Sequence, residues 1–277
     1  MLIMDKLIDQ VLPKINGVPN NLIYLCYRGS MASNTYIPAT DGALSVSDID
    51  LMGVYIAPKE YYIGISQHKT LNPTTVEVKQ EVDGVLYDCV FYELRHFLTM
   101  CLRCNPNVVM SLWVNPDHRL LVRHKFSLVI NNRHIFISRR QLFRSFTGYA
   151  DAQLKEMTLY NTNKGYMGDK RRKLVEQYGY DPKDASQLIY LLTVGIEALH
   201  NGTLNVYRTE DADLIKSIKQ GKWQLDEIKL YADNLFHMSK QKYEVSCLPE
   251  EPQVDKIEKL IVMMLKVYII QDKILDF

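Results

Sequence analysis

The sequence has no apolar run approaching the roughly 18 residues that a membrane span requires, and no leader is expected ahead of its first polar residue, Asp5. It also lacks an even set of cysteines. Cys26, Cys89, Cys101, Cys104 and Cys247 make five, several within apolar stretches, which reads as free thiols in a reducing compartment. Cys101 and Cys104 form a CxxC, but they fall in the helical pattern that runs from Glu93 to Leu102, and no second pair follows at zinc-ligand spacing. They are expected in the core. An excess of either charge is missing as well: 33 Lys and Arg stand against 32 Asp and Glu, a formal net charge of +1. That balance excludes a uniformly basic nucleic-acid coat, so any polynucleotide contact must come from a local patch. Internal repeats and low-complexity tracts are absent too. The expectation is a soluble, cytoplasmic protein with no membrane contact.

What is there suffices for a core without disulfides or structural metal. Of 277 residues, 47% are hydrophobic and 23% charged, a size and balance that suit one or two domains. A short helix is expected over 5–12, stopping near Pro13 and Gly17. The continuous apolar run Leu22 to Tyr27 reads as the first buried strand, ending at Arg28-Gly29-Ser30. After a loop with Pro38, Asp41 and Gly42, Ile49 to Ile56 reads as a second strand. Alternating flanks at 76–82 and 85–91 around Asp83-Gly84 predict a hairpin. A helix is predicted over 92–104, broken at Asn105-Pro106. From Ser138, a helix N-cap candidate, the character changes, with helices expected over 139–165, 167–178, 184–201, 211–220, 224–240 and 252–274. The fold class is therefore α+β: a mixed-sheet domain over 1–137 followed by a helical domain over 138–277.

Three features of the first hundred residues carry chemistry. Gly29-Ser30 follows a buried strand directly. Glycine permits close backbone approach to a ligand, amides at a helix start receive phosphate oxygens, and the serine hydroxyl adds a donor. In Ser47-Asp48-Ile49-Asp50-Leu51, the strand period puts both carboxylates on one side and Ile49 and Leu51 on the other. Two close carboxylates repel, and one takes a proton unless a cation compensates. Magnesium prefers such hard oxygen ligands together with phosphate oxygens. An isolated Asp-x-Asp is more often a solvated strand edge; the apolar flanks and the upstream turn tip the reading toward an ion site. The third feature is Asp88, an acid inside an otherwise apolar strand, costly to bury unless paired or bound to metal. Glu93, at a helix start, and Asp83, in the turn, are rival third carboxylates.

The string Arg28-Gly29-Ser30, then Ser47-Asp48-Ile49-Asp50-Leu51-Met52-Gly53-Val54-Tyr55, resembles the polymerase-β-type nucleotidyltransferase superfamily. Within it the chain is most similar to the predicted nucleotidyltransferases linked to RNA repair, through Tyr92 to Leu98, Asn105-Pro106-Asn107 and a weaker echo from Tyr180 to Leu192. It departs in two places. The spacing from Ser30 to Asp48 is 18 residues, longer than the superfamily's compact spacing, and Gln187 and Tyr190 stand where the subfamily often has His and Arg. The resemblance implies a palm-like catalytic domain, transfer of an NMP from an NTP such as ATP to an acceptor hydroxyl, and release of pyrophosphate. It implies that Asp48, Asp50 and Asp88 are catalytic and hold two Mg2+ (or Mn2+) ions. Arg28, Gly29, Ser30, Ser47 and Lys183 are implied to bind the nucleotide.

The acceptor implied by the resemblance is an RNA, tRNA-like end. Lys164, Lys170, Arg171, Arg172 and Lys173, with Tyr160 and Tyr166 nearby, form a basic stretch suited to a backbone track with stacking aromatics, or equally to a solvated helix face. Arg123, His124, Lys125, Arg133, His134, Arg139 and Arg140 make a looser second one. His200 and His237 sit in helical patterns and read as structural. Alternatives are NMP transfer to a small molecule or a protein hydroxyl, or a non-catalytic nucleotide-binding regulatory module. Oligomeric state has no signature in the sequence.

Overall fold

The structure, a computed structural model, describes residues 7–38, 48–63, 74–123, 125–158 and 169–271. Two short helical turns, Leu7–Val11 and Leu12–Lys14, stand where a single helix was expected, because Pro13 can sit only in the first turn of a helix. The strands are β1 (Leu22–Tyr27), β2 (Ile49–Tyr55), β3 (Thr75–Val82), β4 (Val85–Glu93) and β5 (Arg119–Val122). They form one mixed sheet in the order β3-β4-β2-β1-β5. β2 and β4 are parallel; the other neighbours are antiparallel. The helices are α1 (Gly29–Ala32), α2 (Lys59–Ile63), α3 (Leu94–Leu102), α4 (Pro106–Val109), α5 (Ser127–Asn131), α6 (Arg139–Thr158), α7 (Asp169–Tyr178), α8 (Pro182–Asn201), α9 (Ala212–Lys219), α10 (Leu225–Val245) and α11 (Val254–Gln271).

The α+β class holds. The hairpin forms because Asp83 (φ +52°) and Gly84 (φ +80°) both adopt the left-handed conformation of a two-residue turn, whose twist matches that of the flanking strands. The helix expected from residue 92 begins instead at Leu94. Glu93 ends β4 and caps α3, its carboxylate accepting from the amides of Arg95 (3.0 Å) and His96 (3.1 Å). The edge strand β5 escaped the sequence reading: it has four residues, a polar start at Arg119 and no alternation long enough to register.

Both sheet faces are covered, which is why β1 reads as an unbroken apolar run. On one face Leu25, Leu51, Tyr55, Cys89 and Phe91 pack with Val11 and Ile15. On the other, Met52, Val54 and Val90 join a cluster that continues through Phe97 and Phe126 to Phe146, Leu188 and Met264. Apolar packing thus runs unbroken past residue 137, where the secondary structure turns from mixed to helical. Cys101 and Cys104 lie in this core as expected. No helix among the described residues is long and apolar enough to cross a membrane.

Candidate active site

β1 delivers Arg28 and then Gly29 to one end of the sheet, beside the start of β2. The Arg28 amide donates to the Asp50 carbonyl (3.0 Å), which closes the corner. Gly29 has φ +57°, and a Cβ placed there would lie 2.5 Å from Asp50 Oδ2. The turn therefore touches the carboxylate, and only glycine satisfies both constraints. Gly29→Ala is expected to push Asp50 aside and lower any activity of the site about 100-fold, at a stability cost of about 1–2 kcal/mol, read by kinetics alongside thermal unfolding.

Asp50 and Asp88 are direct partners in the parallel β2–β4 register. Both point to the face of Met52, Val54 and Val90, the face that carries the helical half, while Ile49 and Leu51 point away. Asp48 lies one residue before β2 rather than in it. Two cations tie the three acids together. Arg28 Nη2 is 2.9 Å from Asp88 Oδ1 and 3.9 Å from Asp50 Oδ1. Lys79 Nζ is 2.9 Å from Asp48 Oδ2 and 3.7 Å from Asp88 Oδ2. The repulsion anticipated between the carboxylates is thus answered by the protein's own charges. Burial raises the Asp50 carboxyl above its ordinary range, Arg28 and Lys183 oppose this, and Asp88 and Asp48 add to it.

The rival acids are occupied elsewhere. Asp83 pairs with Lys14 at 2.7 Å in the exposed turn, and Glu93 is 1% exposed, capping α3 and accepting from the Tyr62 hydroxyl. Lys183, in the first turn of α8, is close enough to Asp50 for its charge to favour the carboxylate. Ser47 and Lys164 lie outside the described residues, as do Tyr160, Tyr166 and His124. Lys170, Arg171, Arg172 and Lys173 belong to α7, but their side chains are outside the description. The second basic stretch is partly neutralised: Arg139 pairs with Glu250, Arg140 with Glu250 and Glu251, and Arg133 lies over the Trp113 ring. Tyr190, where the subfamily often has arginine, is buried and donates to the Val206 carbonyl.

Two residues were missed. Lys79 was legible: a two-residue turn that puts Val82 opposite Val85 must put Lys79 opposite Asp88. Lys219, at the end of α9, had no local signal. It is partly buried, and its ammonium is pushed down to about 8 by burial and by Lys183, with Asp50 pulling the other way. Arg28 Nε is buried and has no hydrogen-bond partner among the described residues.

The acids suit a divalent cation in donor type, being hard oxygens. Among the described residues, however, no set of three or more His, Cys, Asp or Glu side chains converges as an ion-holding group, since Arg28 and Lys79 bridge the carboxylates instead.

Residues 6–191 match the family described as "RlaP: RNA repair pathway DNA polymerase beta family". No curated protein matches the sequence significantly. Among solved structures, a nucleotidyltransferase-like protein from Exiguobacterium sibiricum is similar over 86% of this chain and 75% of its own, at 9% identity and a TM-score of 0.32, a likeness too distant to bear on the site. The family match spans well over half of the sequence and includes the turn, the acids and the hairpin, so the chain belongs to the RNA repair pathway DNA polymerase beta family and is a polymerase-β-type nucleotidyltransferase.

Proposed function

We propose that the protein transfers an NMP from an NTP to a hydroxyl at an RNA end, releasing pyrophosphate. The observation that carries this reading is the contact of the Gly29 turn with Asp50, itself in register with Asp88: a phosphate-type turn and paired carboxylates meet at one corner. Asp48, Asp50 and Asp88 would hold Mg2+ or Mn2+, which supplies charge neutralisation on the triphosphate and lowers the pKa of the attacking hydroxyl. Asp88 would complete that ion's ligands or take the hydroxyl's proton directly. Arg28 would add positive charge beside the phosphates, and Gly29 and Ser30 an amide and a hydroxyl. Lys183 and Lys219 grip the triphosphate from the helical half, residues 138–277, which we read as the substrate-binding domain. Positioning and fixed charge do most of the work, as in phosphoryl transfer generally. The family's RNA-repair description favours an RNA acceptor.

The test is label transfer from each α-labelled NTP, supplied singly with Mg2+ or Mn2+, to tRNA, short RNAs, DNA ends and the protein itself. Label on RNA that disappears in the Asp48→Ala/Asp50→Ala variant supports the proposal. Label on the protein or on a small molecule moves the acceptor to another class, and binding of NTP without any transfer points to a regulatory module.

Lys219 gives a pH signature with two opposite slopes. Its ammonium loses the proton near pH 8 in the folded protein but near its ordinary value of 10.5 when unfolded. Nucleotide affinity should therefore fall as pH rises through about 8. Between those two values the unfolded chain binds more protons, so the contribution of Lys219 to stability rises with pH. Lys219→Met is expected to flatten both trends; affinity titrations and thermal unfolding between pH 7 and 10, at about half-unit steps, read them. An unchanged affinity profile in the variant removes Lys219 from the site.

A further inference from the structure

A set of bonds that involves none of the three carboxylates fastens the Gly29–Ser30 turn to the helical half. After α1 the chain folds back on the turn: the Ser33 amide and hydroxyl both donate to the Gly29 carbonyl (3.1 and 3.0 Å), and the Thr35 amide donates to the Ser30 carbonyl (2.9 Å). This tail is held from the other side by Arg208, distant in sequence. The Arg208 amide donates to the Ser33 carbonyl (3.1 Å), and Asn34 Nδ2 donates to the Arg208 carbonyl (2.8 Å). Asn34 has φ +61°, a left-handed conformation that asparagine tolerates better than most residues.

Arg208 is anchored in turn. Its side chain is 4% exposed and forks onto two carboxylates: Glu197 of α8 (2.7 Å at both nitrogens) and Asp211, the residue before α9 (2.7 and 2.8 Å). A second arm runs beside it. Tyr207 packs edge-on to His118, and His118 packs edge-on to Tyr27, the residue before Arg28 (ring centroids 5.5 and 5.8 Å). The same helices carry Lys183 at the start of α8 and Lys219 at the end of α9.

We propose that Asn34 and Arg208 are positioning residues: they latch the Gly29–Ser30 turn to the α8–α9 pair and so set the span between that turn and the lysines that grip the far end of a triphosphate. The proposal rests on the reading of the site as a triphosphate seat. It follows from rigidity. The turn, its tail, the Arg208 backbone and the forked guanidinium form one continuous hydrogen-bonded path, so a break in it frees α9 from the turn without touching any group that meets the substrate. Phosphate groups bridged between two elements are gripped in proportion to how well those elements are held apart at the right distance.

The test uses inorganic tripolyphosphate with Mg2+ as the probe, measured by calorimetry on the full chain, with NTP kinetics beside it. Asn34→Asp keeps the size and tolerates the backbone conformation, but it sets a carboxylate oxygen against the Arg208 carbonyl. It should weaken tripolyphosphate binding about tenfold and raise the NTP KM similarly, with kcat within about twofold. Asn34→Gly keeps the positive φ and only deletes the bond; about threefold is expected. In a Lys219→Met background the Asn34→Asp effect should largely vanish, because the latch acts through the lysine. If Asn34→Asp lowers the melting temperature but leaves tripolyphosphate affinity and KM unchanged, the residue is merely structural and the proposal is overturned. A wild-type chain that binds no tripolyphosphate overturns the triphosphate seat itself, and the latch with it.

Discussion

Asp50→Asn should abolish nucleotide transfer, by about 10³-fold or more, while leaving the protein at least as stable as the native chain. The loss of activity follows from the position of Asp50. It touches the Gly29 turn, stands beside Asp88 and faces Lys183, so under the proposed function every charge in the reaction is referred to it. The stability result follows from linkage. The folded carboxyl titrates above its ordinary value, with burial as the first cause. Between the ordinary and the raised value the folded state binds more protons, so the contribution of Asp50 to stability falls as pH rises through that window. An amide of the same shape removes the buried charge, and Arg28 retains Asp88 at 2.9 Å. Single-turnover label transfer and thermal unfolding at pH 7 decide the matter together. Transfer that persists removes Asp50 from the chemistry. A melting temperature several degrees lower would show that the ion pair with Arg28 outweighs the burial of the carboxylate.

Arg208→Ala is expected to have the opposite character: a large loss of stability, of about 3 kcal/mol, from a residue that no substrate touches. Removing the guanidinium strands Glu197 and Asp211, whose side chains are 30% and 23% exposed, with no cation between them. Burial works to lower the Arg208 pKa, and the hydrogen bonds to both carboxylates outweigh it, so the charge is firmly held. Because the carboxylates retain some solvent, the cost lies at the lower end of the range for a broken buried pair. For a chain of this length it corresponds to a fall in melting temperature of roughly 6–12 °C. Arg208→Lys should recover part of it, since an ammonium keeps the charge but cannot fork onto two carboxylates. Thermal or urea unfolding of both variants measures the effect. A fall of under about 2 °C in Arg208→Ala shows that the triad contributes no net stability.

The two results separate what a local reading can find from what it cannot. Asp50 stood out because a strand alternates its faces, so an acid flanked by Ile49 and Leu51 must turn to the opposite face from them. Asp88 stood out because apolar residues surround it in β4. Nothing near Arg208 or Asn34 in the sequence distinguishes either from an ordinary surface residue: Asp211 is a local partner of Arg208, but Glu197 lies on α8 and Asn34 meets Arg208 from 174 residues away.

By itself, the sequence determined the strands and helices whose periodicity is strong, the turn at Asp83–Gly84, the burial of Cys101 and Cys104, and the gathering of Gly29, Asp50 and Asp88. These are decided by backbone geometry, side-chain alternation and the cost of burying charge, all of which act over a few residues. Only the tertiary structure decided that Arg28 pairs with Asp88 beside Asp50, that β5 completes the sheet, and that Arg208 holds the tail of the Gly29–Ser30 turn. The physical reason is that a charge or a hydrogen bond takes its meaning from its partner. Where that partner lies in another helix or across the sheet, only the folded chain brings the two together.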